Sequence, residues 1–391
     1  MPSPSLRGAM RILFCNNSFP GQFEALAGYF ASRPEHTVLF ASSYGRRDFS
    51  IAGVRRILLK AAHERAPKGK DEFIRQWTRT VNAGREARSA LTQLKRSGFE
   101  PDVALFTAGC GESLFLKDVF PDSFRVAYLD LDRHVPEEDD EKSSFVFLTR
   151  SMALFHGHAV FALSGDPRGI PDFLRPVVGM TPPFVDTDFF RPENAAPFLC
   201  DELVFSRETE LVSIDGKGLS GADMSVTLAH LLRQRPNCHV LLTGCDCAGR
   251  DLGVFAELAR AYPGRLHMRG MSGRAEYRGM LAASTVYVSP SPQSRMRELM
   301  EALSCGALLL ARPSSTPGTR ILIPGRTMLT WPDSAEEQVR LLHHALDERQ
   351  LREALCRNGQ KAVRTHHAQK IILPRHVDGL LRAYKRWQGS A

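Results

Sequence analysis

Long hydrophobic runs are missing from this chain. No stretch approaches the ~18 uninterrupted apolar residues that a membrane-crossing helix requires, so no transmembrane span is expected. The opening MPSPSLRGAM lacks the continuous apolar segment of a secretory signal, and a strand-like run follows at once. Cysteines are few and unpatterned. Cys15, Cys110, Cys200, Cys238, Cys245, Cys247, Cys305 and Cys356 lie mostly in or beside apolar segments, as reduced core thiols do. The pair Cys245 and Cys247 has no second pair at zinc-ligand spacing near it, and His156 and His158 lack further local ligands, so no metal is expected. These absences place the chain in the cytoplasm, with the inner face of a membrane left open. Basic residues form no tail or block, and the acidic run PEEDDEK reads as solvated surface. The ordered aromatic and basic signatures of single-strand recognition are also missing, so no specific nucleic-acid partner is expected.

What is present is a chain of 391 residues, 43% of them apolar, enough for two or three domains or one large two-layer assembly. The net charge of +8 is spread along the sequence, which suits a phosphorylated small molecule or an anionic surface. Short apolar runs at 10–15, 37–41, 56–59, 103–106, 125–129 and 159–163 alternate with helical stretches, among them a long one at 71–96. Residues 167–200 break the pattern with proline and aromatics, and read as a linker. Alternation then restarts with strands near 211–214, 239–243, 265–268, 286–288 and 307–310. Apolar strands separated by helices are the signature of parallel sheets covered on both faces. The expected architecture is α/β, two such blocks facing each other across a cleft, with ligands at the carboxyl ends of the strands.

Four segments carry a family resemblance. MRILFCNNSFPGQFEALAGYF is similar to the first strand and glycine loop of family 4 glycosyltransferases. GFEPDVALFTAGCGESLFLKDVFPDSFRVAYLD looks like the first-domain core of one branch, TPPFVDTDFFRP resembles the interdomain segment, and MRELMEALSCG resembles the late glutamate–glycine box. The resemblance spans nearly the whole chain. It implies a GT-B arrangement of two Rossmann-like domains: an acceptor domain at 1–182, a linker at 183–200, a nucleotide-sugar donor domain at 201–368, and a C-terminal helix at 369–391 returning toward the first domain. It also implies retaining transfer from a nucleoside diphosphate sugar, with no tightly bound cofactor, to a glycan, lipid-linked or protein acceptor.

The same resemblance assigns Glu301, at the start of its helix, to the donor hydroxyls of the ribose, where a carboxylate makes charge-assisted bonds. Gly306 would then end that helix. On the residues alone, Glu301 is equally a carboxylate favoured near a helix start, or a partner for Arg297 four residues earlier. Two departures weaken the match. Gln293 stands eight positions before Glu301, where the family commonly has another glutamate. The segment SIDGKGLSGADMS has Asp215 or Gly216 where an arginine is usual and Ser220 where a second cation is usual, leaving Lys217 as the local cation. Gly216, Gly218 and Gly221 can offer amides to phosphate, Arg295 and Arg297 are the nearest other cations, and Gly244 is expected near the base or ribose. In the first half, Gly21, Gly109, Gly111 and Glu112 follow strands and are candidate cleft residues, as are Asp132 and His134. Each has a plainer reading as a turn, cap or charged loop. A catalytically inactive GT-B protein acting as a binding module or partner subunit is the alternative to an active transferase.

Overall fold

The computed structural model describes residues 8–45, 49–60, 71–131, 141–163, 170, 175–216, 221–244, 252–270, 273–291, 296–312 and 321–390. The chain divides into two units, Met1–Pro182 with Ile372–Ala391, and Pro183–Ile371.

The strands of the first unit are β1 (Arg11–Cys15), β2 (Ser18–Phe19), β3 (Thr37–Ser42), β4 (Tyr44–Gly45), β5 (Val54–Leu58), β6 (Val103–Thr107), β7 (Phe124–Leu129), β8 (Ala159–Leu163) and β9 (Val178–Thr181). Its helices are α1 (Glu24–Ala31), α2 (Glu72–Arg96), α3 (Leu116–Val119) and α4 (Glu141–His156). The main sheet runs β5-β3-β1-β6-β7-β8-β9, every pair parallel. β1, β6 and β7 are apolar along nearly their whole length because helices cover both faces, the habit of buried parallel strands. α2 starts where the Asp71 carboxylate accepts from the Phe73 amide at 2.6 Å, and it ends in Lys95 and Arg96, which complement the carboxyl end of the helix.

The second unit opens with a hairpin, β10 (Phe198–Cys200) and β11 (Leu203–Phe205), followed by β12 (Leu211–Asp215), β13 (His239–Thr243), β14 (Leu266–Arg269), β15 (Val286–Ser289), β16 (Leu308–Ala311) and β17 (Leu329–Thr330). Its sheet runs β14-β13-β12-β15-β16-β17, also all parallel. The helices are α5 (Gly221–Gln234), α6 (Leu252–Ala261), α7 (Arg274–Ala283), α8 (Met296–Cys305), α9 (Ala335–Asp347) and α10 (Arg349–His366), and α11 (Gln369–Ser390) closes the chain. From Ile372 onward α11 belongs to the first unit. There His376 sits between the Tyr128 hydroxyl (2.8 Å) and the Thr181 hydroxyl (2.6 Å), and Trp387 packs on Phe124 and His158. No helix among the described residues is long and apolar enough to cross a membrane.

In both sheets the chain adds two strands outward from a central one, then restarts on its other side. That is the Rossmann order, and the reversal lies between β1 and β6 in one unit and between β12 and β15 in the other.

The proline-rich segment, expected as a linker lying against two domains, carries regular structure and core residues of its own. Val178–Thr181 is the edge strand of the first sheet, and Val185, Phe190, Phe198 and Cys200 are buried in the core of the second unit. Proline suppressed the periodic signal, but the aromatics between the prolines supply the burial, roughly 1.5–3 kcal/mol for each large side chain.

Candidate functional site

The sheet reversal in the second unit gathers the polar groups of interest. β12 ends at Asp215, which is buried. The Gly216 N–H donates to the Thr243 carbonyl at 2.6 Å, so this amide extends the ladder between β12 and β13. That corrects the expectation that Gly216 offers its N–H to phosphate. Gly221 is the first residue of α5, and Gly244, with φ +70°, turns the chain after β13 in a conformation that disfavours side chains. Lys217, Gly218, Gln293 and Arg295 lie outside the described residues.

α8 carries the central pair. Arg297 Nε donates to Glu301 Oε1 at 2.9 Å; the arginine side chain is 43% exposed and that of the glutamate 6%. Glu301 is the sixth residue of α8, whereas Glu298 occupies its first turn. The expected position at the helix start is therefore wrong by about a turn, and stabilisation by the helix N-terminus does not explain Glu301, since that effect fades beyond the first turn. Burial pushes its carboxyl pKa up, Arg297 and Arg274 pull it back, and Glu298 raises it further. Gly306 ends α8 with φ +80°; its N–H reaches the Leu303 carbonyl at 3.1 Å and the Ala307 N–H reaches Ala302 at 3.2 Å, the paired bonds of a glycine stop.

Three neighbours of Glu301 escaped the sequence reading. Tyr287 on β15 and Tyr277 on α7 share a hydroxyl hydrogen bond in a buried environment. Burial raises both phenol pKa values, and the charges of Glu298 and Glu301 add to the rise in each. Asp215 acts on Tyr287 in the same sense, which links the end of β12 to α8. Arg274 holds Asp186 of the VDT segment at 3.4 Å and lies over the Phe189 ring at 4.4 Å. One signal was available: a tyrosine inside the buried strand VYVS must find a partner for its hydroxyl.

In the first unit, the corresponding reversal is tied up internally. The Glu112 carboxylate is buried and accepts from the Ser43 hydroxyl at 2.7 Å, while the Glu112 carbonyl accepts from the Cys15 thiol at 3.3 Å. Gln22 donates to the Thr107 hydroxyl at 2.6 Å. Gly21 has φ +53°, and a Cβ there would come within 2.2 Å of Asn16 Nδ2. Gly109 has φ +88°. Gly111 packs against α2, where a Cβ would meet the Thr80 carbonyl at 2.4 Å. The structure thus brings Gly21, Gly109, Gly111 and Glu112 to the strand ends, with Glu112 engaged by protein. Asp132 and His134 lie outside the described residues.

With the geometry established, similarity to known proteins becomes informative. Residues 34–141 match the family pattern of the glycosyl transferase family 4 group, and residues 226–372 match that of glycosyl transferase-like domains. The chain is a glycosyltransferase by both of its domains. No curated protein matches it. Among solved structures, it resembles Anabaena HepE in complex with UDP and glucose at 14% identity and a TM-score of 0.65, over 95% of this chain and 100% of that one. Sucrose-phosphate synthase from Thermosynechococcus elongatus matches at 16% identity and 0.64, over 98% and 100%. A putative UDP-N-acetylglucosamine 2-epimerase from Listeria monocytogenes matches at 12% and 0.62, over 97% and 98%. At such identities these likenesses establish the GT-B fold of this glycosyltransferase. They do not carry over a substrate, since one fold hosts many reactions.

Proposed function

We propose that this glycosyltransferase retains anomeric configuration and moves a sugar from a nucleoside diphosphate sugar bound in its second unit. The observation that carries the reading is buried Glu301 held by half-exposed Arg297 on the helix that follows β15 at the sheet reversal, the place where open α/β folds bind nucleotides. Glu301 accepts from the ribose hydroxyls. Its burial makes that ionised acceptor costly to maintain, and hydroxyl donors together with Arg297 offset the cost. The diphosphate lies at the amino end of α5, whose first amides begin at Gly221 and whose dipole favours an anion. Lys217 and Arg297 replace the family's usual cations. As the glycosidic bond breaks, charge grows on the leaving diphosphate, so contacts there are worth most in the transition state.

The acceptor is phosphorylated or lipid-linked, and the protein works in the cytoplasm at a membrane face. An exposed stripe on α2, with Arg85, Arg88 and Arg96 around Ser89 and Gln93, supports this reading, because it offers three guanidinium groups to anionic headgroups. Calorimetry with UDP, GDP and ADP against pyrophosphate tests the donor site, and the anomeric coupling of a transfer product reports its stereochemistry. The expected result is saturable binding of one nucleotide, weakened by Lys217→Ala and Arg297→Ala. Binding no tighter than that of pyrophosphate would remove the donor assignment, and an inverted product would remove the retaining one.

A further inference from the structure

A second cluster of donor atoms lies away from the sheet reversal, where the hairpin meets the outer strand of the second sheet. Cys200 ends β10, Asp201 forms the turn, and His267 projects from β14; one donor atom of each lies within 4.8 Å of the others. Cys200 and His267 are buried, whereas the Asp201 side chain is 72% exposed. We propose that Cys200, Asp201 and His267 form a binding site for a zinc ion, with the fourth position open to water beside Asp201.

The hydrogen bonds around the histidine support this assignment. His267 Nδ1 lies 2.8 Å from Asp201 Oδ2, and its Nε2 lies 3.5 Å from His239 Nδ1. His239 in turn bonds the Gly264 backbone. In the tautomer where His239 Nδ1 accepts a hydrogen bond from His267 Nε2, His267 Nδ1 turns its lone pair toward the Asp201 carboxylate. A cation belongs between them, either a proton or a metal. Zinc-bound histidines characteristically donate their other ring nitrogen to an acceptor in this way.

Ligand identity and spacing fit the same ion. Thiolate, imidazole and carboxylate together suit zinc. Tetrahedral bonds of ~2.0–2.3 Å put ligand atoms about 3.3–3.6 Å apart. Here the Asp201–His267 separation of 2.8 Å would open and the Cys200–Asp201 separation of 4.0 Å would close, each by roughly half an ångström. Asp201 holds φ +54°, a left-handed turn conformation that aspartate and asparagine adopt more readily than most side chains. Arg269 hydrogen-bonds the Cys200 side chain, and its own charge is matched by Glu276 at 3.0 Å. Zinc would displace the thiol proton of Cys200, so binding releases a proton.

The test uses the full chain stripped with a chelator, titrated with ZnCl2 by calorimetry and with CoCl2 by absorption. One equivalent of zinc and a thiolate-to-cobalt charge-transfer band in the near ultraviolet are expected. Cys200→Ser should abolish the band. Asp201→Asn, which suits the turn's backbone better and so leaves folding intact, should weaken zinc binding by at least about tenfold. A Cys245→Ser/Cys247→Ser double variant should bind as wild type does. The proposal is overturned by no saturable binding, by binding unchanged in Asp201→Asn, or by binding lost only in the double variant.

Discussion

The two sheets share a strand order but treat their reversal points differently. In the first unit, the polar groups at the strand ends satisfy one another: Glu112 with Ser43, Gln22 with Thr107, Cys15 with the Glu112 carbonyl. In the second, a buried carboxylate is held by a half-exposed arginine, with buried Tyr287 and partly buried Tyr277 nearby. A satisfied polar cluster rigidifies its surroundings. A buried charge costs stability and is retained where binding repays it. On the function proposed above, the first cluster serves stability and the second ligand binding.

The largest effect expected concerns pH, and it has opposite signs in the two units. In the first, burial lowers the His376 pKa from 6.5 to about 4. The unfolded chain takes up that proton first, so stability from this site is present above pH 6.5 and lost as pH falls toward 4. The shift corresponds to about 3 kcal/mol. Denaturant titrations of wild type and His376→Gln should converge by that amount between pH 7 and pH 4. In the second unit the Glu301 pKa is raised. Its contribution is present below the unfolded value of 4.5 and lost as pH rises through the folded one, so ionised Glu301 costs stability at neutral pH. Glu301→Gln, which still accepts from Arg297, should melt no lower than wild type at pH 7.

The same substitution gives the next effect. Glu301→Gln should weaken nucleotide binding about 5- to 150-fold, or about 1–3 kcal/mol, by loss of a charge-assisted bond. Glu112→Ala should do the reverse. It strands the Ser43 hydroxyl in a buried site, costing about 1–3 kcal/mol in chemical denaturation, and leaves nucleotide affinity within twofold on the division of roles argued above. Equal effects of the two variants on affinity would erase the contrast. The smallest effect belongs to Gly21→Ala. Placing a Cβ at φ +53° against Asn16 costs roughly 1–2 kcal/mol, read as a lowered melting temperature.

Much of the scaffold was legible before any coordinates. Strands such as Val103–Thr107 and helices such as Arg274–Ala283 fall where apolar runs and 3.6-residue periodicity put them, because both patterns are local. The helix that carries Glu301 was legible, although the residue's depth within α8 was not. Edge strand Val178–Thr181 and hairpin Phe198–Phe205 were hidden in a proline-rich stretch, because short strands carry too few residues for a period to show. The groups that give each cluster its chemistry lie further apart still. Tyr277 and Tyr287 reach Glu301 from another helix and a strand, and His376 finds Tyr128 across 248 positions. The sequence by itself determined which segments must be buried, and with that the alternation of strand and helix. Only the tertiary structure decided which polar side chains meet inside it, since a buried donor or acceptor takes the partner that packing delivers, however distant in the chain.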